Sequence, residues 1–546
     1  MATAPNSLEV KTAIQPSRSH TDWLLLAGFC GFLLFFGLAH FGFVGADEPR
    51  YAQVAREMFA RNDWITPTLG GKPWLEKPVL YYWEAIVAYH LFGVSDWAAR
   101  LPSAFDATLM VCAIYLFLKR FRPGFALDGA LMAASAAGVI GFARAAATDM
   151  PLASMFAIGM LAWYAWYEGG SKLHLSLFYI FIGLGVLAKG PIAIFLAVLV
   201  IGLFILAKGD YKQIQRTLWI PGIALFCGVT MPWYIAVQMR NPDFFRVFIL
   251  EHNFARFGTN LYHHPEPFWY YLPVALLGLL PWSVFIVVAL VQILRAWWKE
   301  KREFLHFEDA FNAFLVIWLI APVLFFSISQ SKLPGYIVPA LPAGILLLAE
   351  YLRRRLADNE RESFAIIVLH SITAALPIVP ALMIQYILLQ HRLPWNRAAR
   401  VSSAMALILA VAIALTLRSH YGLRMLRFVS LVPVVLTISA LLKIGAPALD
   451  NTLSARPVSQ QIHQLQNRPM PIALFLVSRE TEYGLDFYEN QPLGRYELNQ
   501  IPSEEHLVVA PPNCLKGISK RAPGRRVSYM GSFDAQHLDY FWVAAK

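Results

Sequence analysis

DEPRYAQVAREMFARNDWITPTLGGKPWLEKPVLYYW, residues 47–83, follows directly on the first long apolar run of the chain. That run ends near Gly45, and Asp47, Glu48 and Arg50 then stand at a water boundary. Ionisable groups at that depth are costly unless paired or used, so their default reading is a functional site. Helical spacing from Asp47 puts Tyr51, Val54, Met58 and Phe59 on one face and Arg50, Glu57 and Arg61 on another. This is the pattern of an amphipathic helix lying along a membrane surface. Gly70-Gly71 and Pro73 break it, and Lys77 follows beside Glu76, just ahead of another apolar run. Such a stretch suits an enzyme whose substrate head group sits at the lipid–water interface.

Working outward, the 546 residues are 57% hydrophobic and 15% charged, with a mean hydropathy of +0.50. A soluble domain carries about 25% charged residues, so the chain reads as a polytopic membrane protein. Its 16 Trp, 22 Tyr and 38 Phe fit aromatic belts at both interfaces. The net charge of +11 resides in short loops between apolar runs. That distribution points to topology and anionic lipid rather than nucleic acid. Cys30, Cys112 and Cys227 fall in apolar runs and Cys514 stands alone, so no disulfide framework or zinc knuckle is expected.

Apolar runs of spanning length (roughly 17–25 residues) can be drawn at 22–44, 98–118, 125–146, 150–167, 174–188, 191–207, 218–238, 268–294, 310–328, 336–352, 364–389, 400–417 and 426–443, about thirteen in all. The segment 79–93 is a competitor. Alternate connections are basic: Lys119-Arg120-Arg122, Lys208 with Lys212 and Arg216, Arg295 to Arg302, Arg353 to Arg355, and Arg418 to Arg427. The positive-inside rule makes these cytoplasmic and places the 45–97 loop and everything beyond about 445 outside, in the periplasm of a bacterium. From residue 446 the composition changes. Ile472–Val477, His506–Ala510, Val527–Met530 and Tyr540–Ala544 read as strands and Ser459–Gln466 as a helix, a small α/β domain over 446–546. It shows no nucleotide loop and no catalytic constellation.

With this topology one face collects the unusual polar residues: Asp47, Glu48, Arg50, Glu76, Lys77, Arg144, Asp149, Lys189, Glu251, His252, Arg256, His263, His264, Glu266, Lys332 and Tyr336. Cations on the side that should be poor in them call for an anionic ligand, and a phosphate gripped by Lys and Arg supplies one. Each residue also has a plainer role. Asp47 is a favoured helix N-cap, Lys77 can snorkel to the interface, Arg144 and Asp149 can pair with each other, His263-His264 suit a surface loop, and FWYYLP at 268–273 suits an aromatic belt. Their accumulation on one face outweighs any one of these.

DEPRYAQVAREM, LEKPVLYYW, ATDMP, LAKGP, MPWY, HHPEPFWYYLP with the downstream LPW, and SKLPGY resemble, in the same order, the motifs of bacterial lipid A aminoarabinose transferases. These are polyprenyl-phosphate-sugar-dependent enzymes related to protein O-mannosyltransferases. The resemblance runs through about residues 20–350. It implies a GT-C fold, with residues 1–445 as the transmembrane glycosyltransferase domain and 446–546 as a periplasmic α/β domain. The implied reaction moves 4-amino-4-deoxy-L-arabinose from undecaprenyl phosphate to a lipid A phosphate at the inner membrane, conferring polymyxin resistance. By motif, Asp47 and Asp149 correspond to the essential acids, and Arg50, Lys77 and Tyr82 to phosphate-site residues near Glu76. Lys332 and Tyr336 correspond to the outer KLPxY element. Glu76 and His264 are the candidates for a divalent metal ion.

The acceptor, a phosphate monoester with a second pKa near 6, hardly needs a strong base. The leaving phosphate needs positive charge, which Lys77 and Arg50 can provide. Asp47 is then expected to orient the acceptor, the sugar amine or a cation. Two rivals stand beside this reading: an O-mannosyltransferase-like enzyme with Asp47 as base to a hydroxyl acceptor, and a lipid-linked sugar flippase. A transporter should show inverted repeats and ionisable groups near the midplane of several helices; here those groups gather at one face.

Overall fold

A computed structural model describes residues 19–248, 251, 266–299, 310–358, 361–388, 395–466 and 468–546. The first described helix is α1 (Ser19–Cys30), continued by a π-turn to Phe35. It then tightens into a loop and enters α2 (Asp47–Arg61). Asp47 and Glu48 occupy the first turn of α2 and Arg61 the last, complementing the helix dipole. The helix stops at Asn62, which adopts the left-handed conformation (φ 49°) and donates to the Met58 and Phe59 carbonyls. The stop therefore lies eight residues before the expected Gly70-Gly71. Those glycines, at φ 59° and 72°, instead turn a hairpin between β1 (Thr68–Leu69) and β2 (Lys72–Pro73). Positive φ at both turn positions is what this tight hairpin requires. Glu57 fastens it by accepting from the Thr68 hydroxyl and the Gly70 and Gly71 amides.

Next come α3 (Leu80–Phe92), α4 (Asp96–Phe121), α5 (Ala126–Ser135), α6 (Ala137–Ala143), α7 (Asp149–Gly169) and α8 (Lys172–Lys189). The apolar face of α2 lies on protein rather than lipid. Tyr51, Val54 and Met58 are buried in one cluster with Tyr81, Tyr82 and Tyr89 of α3, and the Tyr89 hydroxyl reaches the Ala52 carbonyl at 3.1 Å.

Among the described residues eight helices are long and apolar enough to cross a membrane, or ten if two bent pairs each count once. The chain is a multi-pass helical membrane protein, but these counts fall short of about thirteen. Two of the apolar runs are bent. Run 125–146 breaks at Ala136 with a 61° bend, and run 268–294 folds back at 118° between Phe268–Gly278 and Ser283–Lys299. The first run forms only the short apolar helix His20–Phe35, and run 191–207 the 17-residue Ile192–Lys208.

After the last long apolar stretch, Gly422–Leu453, the chain forms a five-stranded sheet. Its order is β4 (Gly494–Arg495), β3 (Ile472–Leu474), β5 (His506–Ala510), β7 (Leu538–Val543), β6 (Val527–Phe533), with β4, β3 and β5 parallel and the rest antiparallel. Alternation along β5 sends Leu507 and Val509 to one buried cluster and Val508 and Ala510 to another, so both faces are covered. The helix Arg479–Glu489 of this domain packs along α2.

Candidate active site

The turn leading into α2 is held by a buried ion pair. Arg100 of α4 donates Nε and Nη2 to the two oxygens of Glu48 at 2.9 and 2.8 Å. Its remaining N–H groups reach the Leu38, Phe41 and Gly42 carbonyls. Glu48 also accepts from the Val44 and Ala146 amides. Every lone pair of this carboxylate is thereby engaged, so Glu48 is structural. Arg100, inside an ordinary-looking DWAARLP, carried no sequence signal.

Asp47, one residue earlier, points the other way. Its side chain is 58% exposed and its partner is Arg50, one turn on, whose side chain is 13% exposed. The Arg50 guanidinium faces three rings, Tyr51 at 5.1 Å, Trp74 at 5.4 Å and Tyr483 at 5.6 Å. Its buried Nε has no acceptor among the described residues. Glu76 and Lys77 lie half-buried in the loop ahead of α3. On α3 the two tyrosines divide: Tyr81 donates to the Ala99 carbonyl at 2.9 Å, whereas the buried Tyr82 hydroxyl has no partner among the described residues. Tyr82 is thus the one with a donor to offer.

Asp149 begins α7 and Lys189 ends α8, each at the helix terminus that favours its charge. Antiparallel packing of the two helices brings them to 2.5 Å. Asp149 therefore pairs with Lys189 rather than Arg144, which donates to the Leu33 carbonyl at 3.1 Å. The Lys189 ammonium lies 5.3 Å from the Tyr336 ring. Asp149 also presses on Gly335: a Cβ there would stand 2.0 Å from its Oδ1, so this position admits only glycine without rearrangement.

Tyr51 lies within the electrostatic reach of both acidic centres. Burial pushes its hydroxyl well above the ordinary phenol range; Asp47, Asp149 and Glu76 push the same way and Arg50 opposes. Lys332 is buried and donates to the Ser329 and Glu266 carbonyls at 2.6 and 2.9 Å, which leaves one N–H. Tyr271 braces the same loop, its hydroxyl donating to the Leu333 carbonyl and accepting from the Leu333 amide. The FWYYLP run thus splits: Phe268, Trp269 and Leu272 are exposed as a belt requires, while Tyr271 is fully buried.

Of the metal candidates, Glu76 sits beside Arg50, and His264 lies outside the described residues, as do His252, Arg256 and His263. No three His, Cys, Asp or Glu side chains among the described residues are grouped to hold a metal ion. Glu76 and His264 alone would leave most of a coordination sphere to other ligands.

Residues 24–248, which include both acidic centres, match the family model of dolichyl-phosphate-mannose-protein mannosyltransferases. A curated relative in Pseudomonas aeruginosa strain UCBPP-PA14, named undecaprenyl phosphate-alpha-4-amino-4-deoxy-L-arabinose arabinosyl transferase, is 33% identical over 349 residues, 62% of this chain and 61% of its own. A relative of the same name in Aeromonas hydrophila is 31% identical over 330 residues, 59% and 58% of the two chains. The crystal structure of ArnT from Cupriavidus metallidurans bound to undecaprenyl phosphate superposes with a TM-score of 0.75 at 23% identity, covering 96% of this chain and 98% of that one. The chain is similar in sequence to these arabinosyl transferases and shares the fold of the Cupriavidus structure. The sequence match spans about 61% of the length of the Pseudomonas relative.

Proposed function

We propose that this chain is a glycosyltransferase that moves 4-amino-4-deoxy-L-arabinose from undecaprenyl phosphate to a lipid A phosphate. The reading places it in the bacterial inner membrane, with the site and C-terminal domain periplasmic. It is supported above all by two carboxylate–cation couples, Asp47–Arg50 and Asp149–Lys189, both within the electrostatic reach of the buried Tyr51. The relatives' names supply donor and sugar. An apolar cavity of about 450 Å³ on the Glu48 side of the same turn suits a site that handles lipids.

In this reaction the bond between the sugar's anomeric carbon and the donor phosphate oxygen breaks, and its electron pair stays on undecaprenyl phosphate. An oxygen of the acceptor phosphate forms the new bond. Arg50, Lys77 and the Tyr82 hydroxyl take up the charge developing on the leaving phosphate, an interaction that strengthens in the transition state. The remaining N–H of Lys332 and the Tyr336 hydroxyl border the same phosphate. Asp47 and Asp149 face the positive charge of the oxocarbenium-like sugar and its amino group. The acceptor, already largely a dianion at neutral pH, attacks without a strong base. Capping a lipid A phosphate with an aminosugar lowers the envelope's negative charge and so weakens polymyxin binding.

Mass spectrometry of lipid A from cells with and without the gene tests this directly. Aminoarabinose on a phosphate only when the gene is present is the expected result; unmodified lipid A in both ends the proposal. The family-model match over 24–248 favours one alternative, transfer to a protein hydroxyl. At saturating donor a phosphate acceptor predicts activity rising through about pH 6–7, with the limb retained in Asp47→Asn. Loss of the limb in that variant would favour the hydroxyl acceptor. For sidedness, a cysteine placed at the exposed Lys516 should react with an impermeant thiol reagent in intact spheroplasts and one at Arg354 should not. The reverse pattern would put the site in the cytoplasm.

A further inference from the structure

The donor-phosphate arginine is enclosed by three aromatic faces that come from three places. Tyr51 belongs to its own helix, Trp74 follows the first-loop hairpin, and Tyr483 comes from the C-terminal domain more than 400 residues away. Ring faces attract a guanidinium but accept no full hydrogen bond, so they hold its plane and leave N–H capacity over. Asp47 and Tyr51 take hydrogen bonds from the guanidinium, and its buried Nε has no acceptor among the described residues. An arginine so held is oriented for an anion before the anion arrives.

Tyr483 reaches Arg50 because its helix is docked onto α2 and the preceding loop by specific contacts. Arg56 donates to the Phe487 carbonyl at 2.6 Å, and Phe43 packs edge-on to Phe487 with ring centres 4.9 Å apart. The Tyr488 hydroxyl accepts from the Phe43 amide at 3.0 Å and donates to Asp96 at 3.2 Å. Arg456 bridges Asp96 and Asp450, and Asp450 accepts from the Gly42 amide at 2.8 Å. Tyr483 and Phe487, four residues apart, share one helix face, so the turn that anchors the domain also delivers the tyrosine.

We infer that Tyr483 is a positioning residue for Arg50, and that the C-terminal domain acts in transfer by supplying the third wall of the donor-phosphate site. The inference rests on the reading of Arg50 as a donor-phosphate residue. A leucine at 483 keeps an apolar filler but removes the ring face; a phenylalanine keeps the face and removes only the hydroxyl.

The experiment uses full-length protein in nanodiscs. It measures undecaprenyl phosphate binding, donor KM and kcat, and the melting temperature for wild type, Tyr483→Leu, Tyr483→Phe, Tyr488→Phe and Arg50→Ala. Tyr483→Leu should weaken undecaprenyl phosphate binding and raise donor KM about three- to tenfold, the range of one partly desolvated cation–π contact. Tyr483→Phe should restore wild-type values. Tyr488→Phe, which loosens docking without touching Arg50, serves as the stability control: at equal loss of melting temperature it should shift donor KM less than Tyr483→Leu. Equal behaviour of Leu and Phe at 483, or KM shifts that track melting temperature across the set, would overturn the inference. If Arg50→Ala loses binding while Tyr483→Leu keeps it, the positioning role alone fails. If Arg50→Ala binds as wild type does, the donor-site reading fails and this inference with it.

Discussion

Asp47 and Glu48 are adjacent in the chain, each has an arginine partner, and their circumstances are opposite. Glu48 is buried, meets Arg100 through two hydrogen bonds and takes two backbone amides as well. Asp47 is mostly exposed and meets Arg50 alone, whose own Nε is left over. A charge whose every lone pair is engaged has nothing left for a substrate and holds the fold. A charge half-engaged at the surface is weakly stabilising but free to respond to a ligand. Helix geometry makes the split unavoidable, since successive residues on α2 point about 100° apart.

The largest expected effect comes from breaking the engaged pair. Arg100→Ala leaves the Glu48 carboxylate buried without its cation and strips three carbonyls of their donor, a loss of roughly 3–5 kcal/mol. The variant should fail to accumulate as folded protein, read by size-exclusion yield and melting temperature. Asp47→Asn should do the reverse: melting within a few degrees of wild type and transfer lowered at least ~100-fold. If Arg100→Ala folds normally, or Asp47→Asn unfolds, the contrast between the two carboxylates is wrong.

That contrast also marks how far the sequence could be read. Asp47, Arg50 and Asp149 are conspicuous because ionisable residues next to apolar runs are rare, and the resemblance sharpened them. Arg100 was invisible because its partner lies 52 positions away and nothing in DWAARLP distinguishes an anchor from an interfacial arginine. The partner of Asp149 was open for a similar reason. Arg144 is nearer in sequence, but α7 and α8 return the chain so that Lys189 arrives instead. Hydropathy located the apolar runs, yet it cannot see that one helix breaks at Ala136 and another folds back near Pro281. The C-terminal strands at 472, 506, 527 and 538 were legible from their β-branched and aromatic runs, whereas the two-residue β4 was too short to leave a pattern. Nothing in RETEYGLDFYE signalled contact with Arg50.

A second comparison sets the Asp149 centre against the Asp47 centre. Asp149 is confined, with Lys189 on one side and the backbone of Gly335 on another; Asp47 is open. Gly335→Ala should therefore act on Asp149 without touching Asp47. Its Cβ would meet Oδ1 at 2.0 Å and Cγ at 2.6 Å, so the carboxylate or the loop must move. Overpacking of this kind costs about 1–3 kcal/mol. The expected result is a roughly tenfold fall in kcat with undecaprenyl phosphate affinity nearly kept. Wild-type kcat would mean the Asp149 carboxylate needs no fixed position.

The smallest effect lies where the two regions meet, at Asp486 on the docking helix. Burial pushes its carboxyl up to about 6; Glu57 and Glu482 add to this, and Arg495 and Arg56 oppose it. The free carboxyl titrates near 3.9. The folded, docked chain therefore binds a proton more readily than the unfolded one between about pH 4 and 6. Its contribution is fully present below pH 4 and is lost as pH rises through 6. At neutral pH the ionised Asp486 opposes the folded, docked state by roughly 1 kcal/mol, after allowance for solvent screening at a partly exposed site. Asp486→Asn should raise the melting temperature at pH 7 by a few degrees, change little at pH 4, and flatten the pH dependence between. Since docking brings Tyr483 to Arg50, undecaprenyl phosphate affinity should weaken from pH 5 to 7 more in wild type than in the Asn variant. The ligand's own phosphate titrates equally in both, so the difference between the two curves isolates the protein. Parallel curves would mean that Asp486 reports on its surroundings without steering the domain that reaches the site.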